Sequence, residues 1–358
     1  MYGNTNNFML YSKYLKIGEI VNMKKALILG GTGTMGAYLT AHLLENGYSV
    51  DAFTMDDVVS DNPNLRYIKK NAKDVAEVKE YLKNGYDAMI DFMHYATVEF
   101  KERYDLYLSS VGRYIALSSY RVYDDANKPL TEDCSRLLET SLDEELKASD
   151  DYAIAKCRLE DILHASDKKN WTILRPTLVY GPPRINIVTL ISNAIMHRAL
   201  NGKKLLLPID TRYKTSTMIW GGDVAKLILR LIENPKCAGE IYTVGSSETH
   251  TWQEIADMYK EIIGLEVEWI PNDDFLNVVS GGNVSLPSKW ILDYDRMFNR
   301  SVDNTKILKA TGMKQSDLIP LYDGLKLVCG EVMKFAKERY GNVDWLNEQM
   351  DKYIETHK

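Results

Sequence analysis

The stretch 24–47, K-K-A-L-I-L-G-G-T-G-T-M-G-A-Y-L-T-A-H-L-L-E-N-G, constrains the fold more than any other part of the chain. Its apolar run 26–29 is short enough for a buried strand and meets Gly30, Gly33 and Gly36. Met35, Leu39 and Leu43 then recur at four-residue spacing, which predicts a helix stopped by Asn46-Gly47. Strand, glycine turn and helix in that order make an anion site. The turn lets backbone approach a pyrophosphate, and the unpaired N–H groups at the helix start attract its charge. Gly31-x-Gly33-x-x-Gly36 fits the dinucleotide fingerprint, and Gly30-x-x-Gly33-x-x-Gly36 fits a relative of it. A phosphate loop of the Gly-Lys-Ser/Thr kind is excluded, because Ala37-Tyr38 follows the last glycine.

Composition narrows the class. A chain of 358 residues, 45% hydrophobic, can bury a full core in one large or two unequal domains. Its net charge of −6 gives no basic footprint for nucleic acid or an acidic membrane surface, and no apolar run reaches the length of a membrane span. Cys134, Cys157, Cys237 and Cys329 lie far apart, as expected for reduced thiols in a cytoplasm. The six histidines are scattered without H-E-x-x-H, so no metal site is expected. Residues 1–22 lack the apolar centre of a signal peptide and read as an extension before a natural start at Met23-Lys24-Lys25.

Strands predicted at 48–54, 66–68, 88–92 and 113–119 alternate with helices at 75–82 and 97–108. That alternation, without hairpin signals, implies an α/β fold, a doubly wound parallel sheet covered on both faces. In such sheets ligands sit at the carboxyl ends of the strands. Ser118 to Tyr123 follow the fifth strand, and a polar loop, 124–151, leads to a helix starting near Tyr152. A strand at 171–174 closes at Arg175-Pro176, and Tyr180-Gly181-Pro182-Pro183 breaks the chain. The expected organisation is a dinucleotide domain over 23–183, with strands at 217–220 and 241–244 returning to its sheet from segments at about 215–245. A smaller mixed α/β substrate lobe takes 184–214 and 246–330, and a helical tail takes 331–358.

Tyr152 and Lys156 are four apart on one predicted helix and share a face. A lysine ammonium and the positive ring of an oxidised nicotinamide would favour a phenolate able to take a proton from a substrate hydroxyl while hydride leaves the same carbon. Tyr322 with Lys326 shows the same spacing but falls after the alternation ends, and reads as a solvated helix face. Ser119, at a strand's carboxyl end, supplies a hydroxyl for the reacting oxygen.

Gly30-x-x-Gly33-x-x-Gly36, Ser118-Ser119-x-x-Val122-Tyr123, Tyr152-x-x-x-Lys156, Arg175-Pro176 and Tyr180-Gly181-Pro182 stand in the order found in extended short-chain dehydrogenases/reductases of the NAD-dependent epimerase/dehydratase group. The resemblance covers roughly 24–245 and implies a Rossmann sheet with a carboxyl-terminal substrate lobe. It implies Tyr152 as acid/base, Lys156 on the nicotinamide ribose and Ser119 on the reacting oxygen. The cofactor would touch Gly30, Thr32, Gly33, Thr34, Met35, Gly36, Thr54, Asn71, Phe92, Met93, Tyr152 and Lys156. Asp56 and Asp57 after the second strand disfavour a 2′-phosphate, which points to NAD with NADP left open. Relatives are often dimers, here joined through the helices near 97–108 and at Tyr152.

The departures fall on the substrate side. Leu178 stands where 4-epimerases carry Asn, Ser216 where they carry Arg, and Met93-His94 where small residues are usual. These features resemble a divergent branch that includes relatives described as RNA-binding. The expected substrate is a small molecule, a nucleotide sugar or related polyol. A net reductase and a non-catalytic dinucleotide- or RNA-binding protein are the alternatives, with nucleic acid disfavoured by the charge. On the substrate side, Tyr120 is a further candidate. His94 reads as a second acid/base or a packing residue, Arg184 and Arg212 with Lys214 as diphosphate ligands or solvated charges, and Glu132 and Asp133 as loop surface.

Overall fold

Residues 23–357 are described by a computed structural model, so the extension at 1–22 lies outside the described residues. The alternation seen in the sequence produces seven strands: β1 (Lys25–Leu29), β2 (Ser49–Thr54), β3 (Leu65–Lys69), β4 (Tyr86–Asp91), β5 (Val111–Leu117), β6 (Trp171–Pro176) and β7 (Glu240–Val244). They form one sheet in the order β7-β6-β5-β4-β1-β2-β3, and every pairing is parallel. This is a Rossmann-type α/β fold. The strand order reverses at β1 beside β4, which opens a crevice at their carboxyl ends.

β1 shows why a continuous apolar run suits this place. Ala26 and Ile28 enter the core on one face and Leu27 and Leu29 the core on the other, all four fully buried. On the first face, Leu39 and Leu43 of α1 (Gly36–Glu45) share a core with Val224, Leu227, Ile228 and Leu231 of a later helix (Gly221–Glu233). The second face is covered by α2 (Val75–Leu82), α3 (Thr97–Lys101), α4 (Tyr104–Ser110) and α5 (Tyr152–Ala165).

Several local expectations change. The single helix at 97–108 is two, because buried Arg103 turns inward and its guanidinium donates to Glu99 O and to Lys73 O, 30 residues away. Of the two returning segments only Glu240–Val244 joins the sheet. Met218–Trp220 pairs instead with Leu178–Tyr180, the continuation of β6 past its bend at Thr177. The loop at 124–151 contains short helices Leu137–Thr140 and Glu144–Ala148. Glu132 is not loop surface: its carboxylate accepts the Thr243 N–H of β7 and its carbonyl accepts from Arg175.

Beyond β6 lies a second core. Helix Leu321–Tyr340 contributes Leu325, Val328, Cys329, Val332 and Ala336, at three- and four-residue spacing, to a cluster with Trp252, Ile255 and Tyr259. Met350 of helix Trp345–Thr356 reaches the same cluster. Tyr322 donates to the exposed Glu261 carboxylate at 2.6 Å, a surface contact.

Candidate active site

The glycines after β1 divide the work. Gly30 takes φ +92°, a left-handed conformation that favours glycine, and turns the chain so that the Gly30 and Gly31 N–H groups both donate to Phe53 O. A Cβ on Gly31 would press on Ala52 and one on Gly36 would overlap Gly30 O, so these two seat α1 against the sheet. A Cβ on Gly33 would meet only Gly30 O, at 3.5 Å. Its open side leaves room for a ligand beside the first turn of α1, where the Ala37 N–H is bonded to Gly33 O at 3.0 Å and the helix start favours an anion. Behind the turn the Thr32 and Thr54 hydroxyls meet at 2.6 Å.

α5 starts at Tyr152 because Asp151 caps it, accepting the Ala153 N–H at 3.0 Å. The same face then carries Lys156 and Glu160, both buried. Lys156 donates to Met93 O after β4, at 3.2 Å, and to Leu117 O at the end of β5. Its ammonium lies 5.7 Å from the Tyr152 ring centre. Burial lowers its pKa to about 8, against the pull of Asp91 and Glu160.

An ammonium lost more easily in the fold than in the unfolded chain makes stability rise with pH between those two pKa values. Lys156→Met is expected to remove a rise on the order of 2 kcal/mol between about pH 8 and pH 10. Urea titrations of both proteins across that range read it, and identical slopes would contradict this placement of the ammonium.

Tyr152 sits among opposing influences. Burial raises its pKa, opposed by the Arg121 guanidinium, the Ser119 hydroxyl and Arg184. Arg121 joins Lys156 over its ring, at 5.2 Å from the ring centre, and Lys156 spends its donors on backbone carbonyls. Ser119 accepts the Arg121 N–H at 3.2 Å, which leaves its own hydroxyl hydrogen available. His94 is exposed, with its ring 5.0 Å from that of Tyr152; burial of one side and Lys156 lower its pKa.

These side chains line one cavity of about 490 Å³ that joins the ends of β4, β5 and β6. It brings together Met35, Phe92, Met93, His94, Ser119, Tyr120, Tyr152, Lys156 and Arg184 from the predicted set. Gly30 adjoins it, since a Cβ there would lie 3.5 Å from Phe92 and 3.8 Å from the Met93 sulfur. Asn71 is exposed after β3 and outside the cavity, its side-chain Oδ1 accepting the Lys73 N–H. Arg212 does not join the cavity either. It donates to Gln253 at 2.7 Å and packs against Trp269 on another surface.

Sequence reasoning missed Arg121, Thr177 and Arg296 in the wall, and Asp295 behind it. Arg121 was within the quoted Ser118 to Tyr123 run. Arg296 comes from a π-helical turn, Leu292–Arg296, which has no sequence signal of its own.

Glu160 fixes the frame. It is fully buried and accepts from Ser118, from Arg175 through two nitrogens at 2.9 and 2.7 Å, and from Arg136 at 3.1 Å. One carboxylate thus ties α5 to the ends of β5 and β6.

Fold and site together define a dinucleotide-fold protein with a Ser, Tyr and Lys set at its switch point. The model of the NAD dependent epimerase/dehydratase family matches residues 26–245, and the chain belongs to that family. The Arabidopsis thaliana chloroplast stem-loop binding protein of 41 kDa b is 26% identical over 249 residues, 65% of this chain and 61% of that protein. The match thus spans less than two thirds of that relative. Among solved structures, dTDP-glucose 4,6-dehydratase from Bacillus anthracis, in complex with NAD, superposes with a TM-score of 0.67 at 17% identity, covering 87% of this chain and 97% of that one. The UDP-N-acetylglucosamine 4-epimerase from Methanobrevibacter ruminantium, in complex with UDP-N-acetylmuramic acid, gives 0.66 at 16% identity, with 88% and 99% covered.

Proposed function

We propose that this chain binds NAD along the glycine turn and uses Tyr152 to oxidise and re-reduce a carbinol of a nucleotide sugar or related polyol. The observation that carries the reading is the meeting of Ser119, Tyr152 and Lys156 in one cavity with Phe92 and Met93, the neighbours of Gly30. Gly33's open side fits a pyrophosphate, and Thr54, Phe92 and Met93 would complete the cofactor wall. Bound NAD supplies a hydride acceptor and a positively charged ring.

Tyr152 takes the proton of the substrate hydroxyl and later returns it. The Ser119 hydroxyl donates to the same oxygen and holds it against Tyr152. Lys156 keeps its ammonium under the site, and Arg121 offsets the burial that raises the tyrosine's pKa. Neutral His94, on the same side, is placed to exchange a second proton.

A nucleotide sugar is favoured because the two solved neighbours above are named for such substrates. A homodimer joined through α3, α4 and α5 and a cytoplasmic location complete the reading. Exposed Val98 on α3 is consistent with such an interface. No helix among the described residues is long and apolar enough to cross a membrane.

The test of the cofactor site is Gly33→Val, which fills the one open side of the turn. It is expected to weaken NAD binding by about a hundredfold or more, through steric exclusion at a backbone contact. Calorimetric titration with NAD reads this, and wild-type affinity in the variant would remove the turn from the site. A second reading, stem-loop RNA binding, rests on the Arabidopsis relative's name alone. Salt-sensitive RNA binding by a protein that neither binds NAD nor turns over would favour it.

A further inference from the structure

The cavity wall carries four cations, Arg121, Lys156, Arg184 and Arg296, and no aspartate or glutamate. The carboxylates nearest Arg121 pair with its charge but leave its Nε without a hydrogen bond. Asp151 and Asp295 lie 3.7 and 3.6 Å away, beyond hydrogen-bond reach, and the buried Nε of Arg121 has no hydrogen-bond partner among the described residues. Asp295 is already shared: it accepts from Arg296 and from Arg300.

Arg300, behind the wall, and Arg296, in it, also brace the fold. Arg300 donates to Asp124 O at 3.0 Å and Tyr123 O at 3.1 Å, and Arg296 to Val188 O at 2.7 Å and to the Tyr120 hydroxyl at 3.2 Å. Arg184, exposed at the cavity mouth, donates through Nε to Asn186 at 3.1 Å and has no carboxylate partner among the described residues. Of these four cations Arg121 alone has a buried nitrogen with no hydrogen-bond partner among the described residues, and an anion entering the cavity would supply one.

Position decides which anion. The Arg121 guanidinium lies 5.2 Å from the Tyr152 ring centre, so an anion on it sits beside the reacting carbon and not at the far end of a nucleotide. We infer that Arg121, with Arg184 and Arg296, binds a carboxylate or phosphate borne by the reacting half of the substrate, a few bonds from the carbinol that Tyr152 deprotonates. The substrate class is therefore an acidic polyol, such as a sugar acid or a sugar phosphate, with or without an attached nucleotide. This rests on the redox reading only for the place of the reacting carbon.

Calorimetric titrations, with and without saturating NAD, test it with UDP-glucuronate against UDP-glucose, glycerol 3-phosphate against glycerol, and UDP alone. The first pair reports a carboxylate, the second a phosphate. In at least one pair the anionic member is expected to bind about tenfold or more tightly, the scale of a charged hydrogen bond. Arg121→Gln should erase that preference while leaving UDP affinity unchanged, and Arg121→Lys should restore part of it.

Equal affinity within both pairs would overturn the inference. So would a preference that survives Arg121→Gln, or Arg121-dependent binding of UDP that accounts for the whole effect and places a diphosphate on the arginine. A protein that takes up no NAD yet keeps an Arg121-dependent preference would sink the redox reading and leave the anion subsite standing.

Discussion

Tyr152→Phe is expected to lower turnover by about 10²- to 10⁴-fold, the usual contribution of a placed general acid/base, with NAD affinity nearly unchanged. The substitution removes one oxygen and keeps the ring that lies against Arg121 and His94. What disappears is the group that exchanges the carbinol proton. Lys156 cannot replace it, because its ammonium is committed to Met93 O and Leu117 O. Single-turnover transfer from a confirmed substrate, followed by the near-ultraviolet absorbance of reduced nicotinamide, measures the effect. Unchanged transfer would end the mechanism.

Glu160→Ala is expected to cost about 3–5 kcal/mol of stability, the scale of breaking a buried ion pair from one side. Arg175 is itself buried and would lose both of its bonds to the carboxylate, keeping only Glu132 O and the face of Tyr123. Ser118 and Arg136 lose a partner as well. Burial pushes the Glu160 pKa up, but Arg175, Ser118 and Arg136 together hold it below the usual glutamate value. Its stabilisation is therefore present above the unfolded-state pKa and is lost as pH falls through the lower folded-state one. The urea midpoint of Glu160→Ala against wild type at neutral pH reads the cost, and coincident midpoints would show that the network contributes nothing net.

The parts of the site that lie at strand ends were legible because a doubly wound sheet makes them so. β1, β4 and β5 are buried apolar runs, and the residues just after them, Gly30, Phe92, Met93 and Ser119, gather at the carboxyl edge. Tyr152 and Lys156 were legible through helix spacing, with their place after β5 separating them from Tyr322 and Lys326.

Lys156 and Arg184 of the cationic wall were legible, but Arg121 and Arg296 were not. An arginine in a loop, such as Arg121, reads as solvated until the fold buries it. Arg296 meets the Tyr120 hydroxyl across 176 positions, from a π turn that no periodicity reports. Arg212 lies away from the cavity for the converse reason: a cation near a strand in sequence packs with Gln253 and Trp269. The helix break at Arg103 has the same origin, a long-range bond to Lys73 O that overrides local pattern.

The central claim is that the glycine turn and the Tyr152 cavity together form one NAD site. Native mass spectrometry of the purified chain after incubation with NAD tests it most directly. One NAD per chain on wild type and Tyr152→Phe, and none on Gly33→Val, is the result this account requires. A wild-type chain that carries no NAD, or a Gly33→Val chain that carries it equally well, would contradict it.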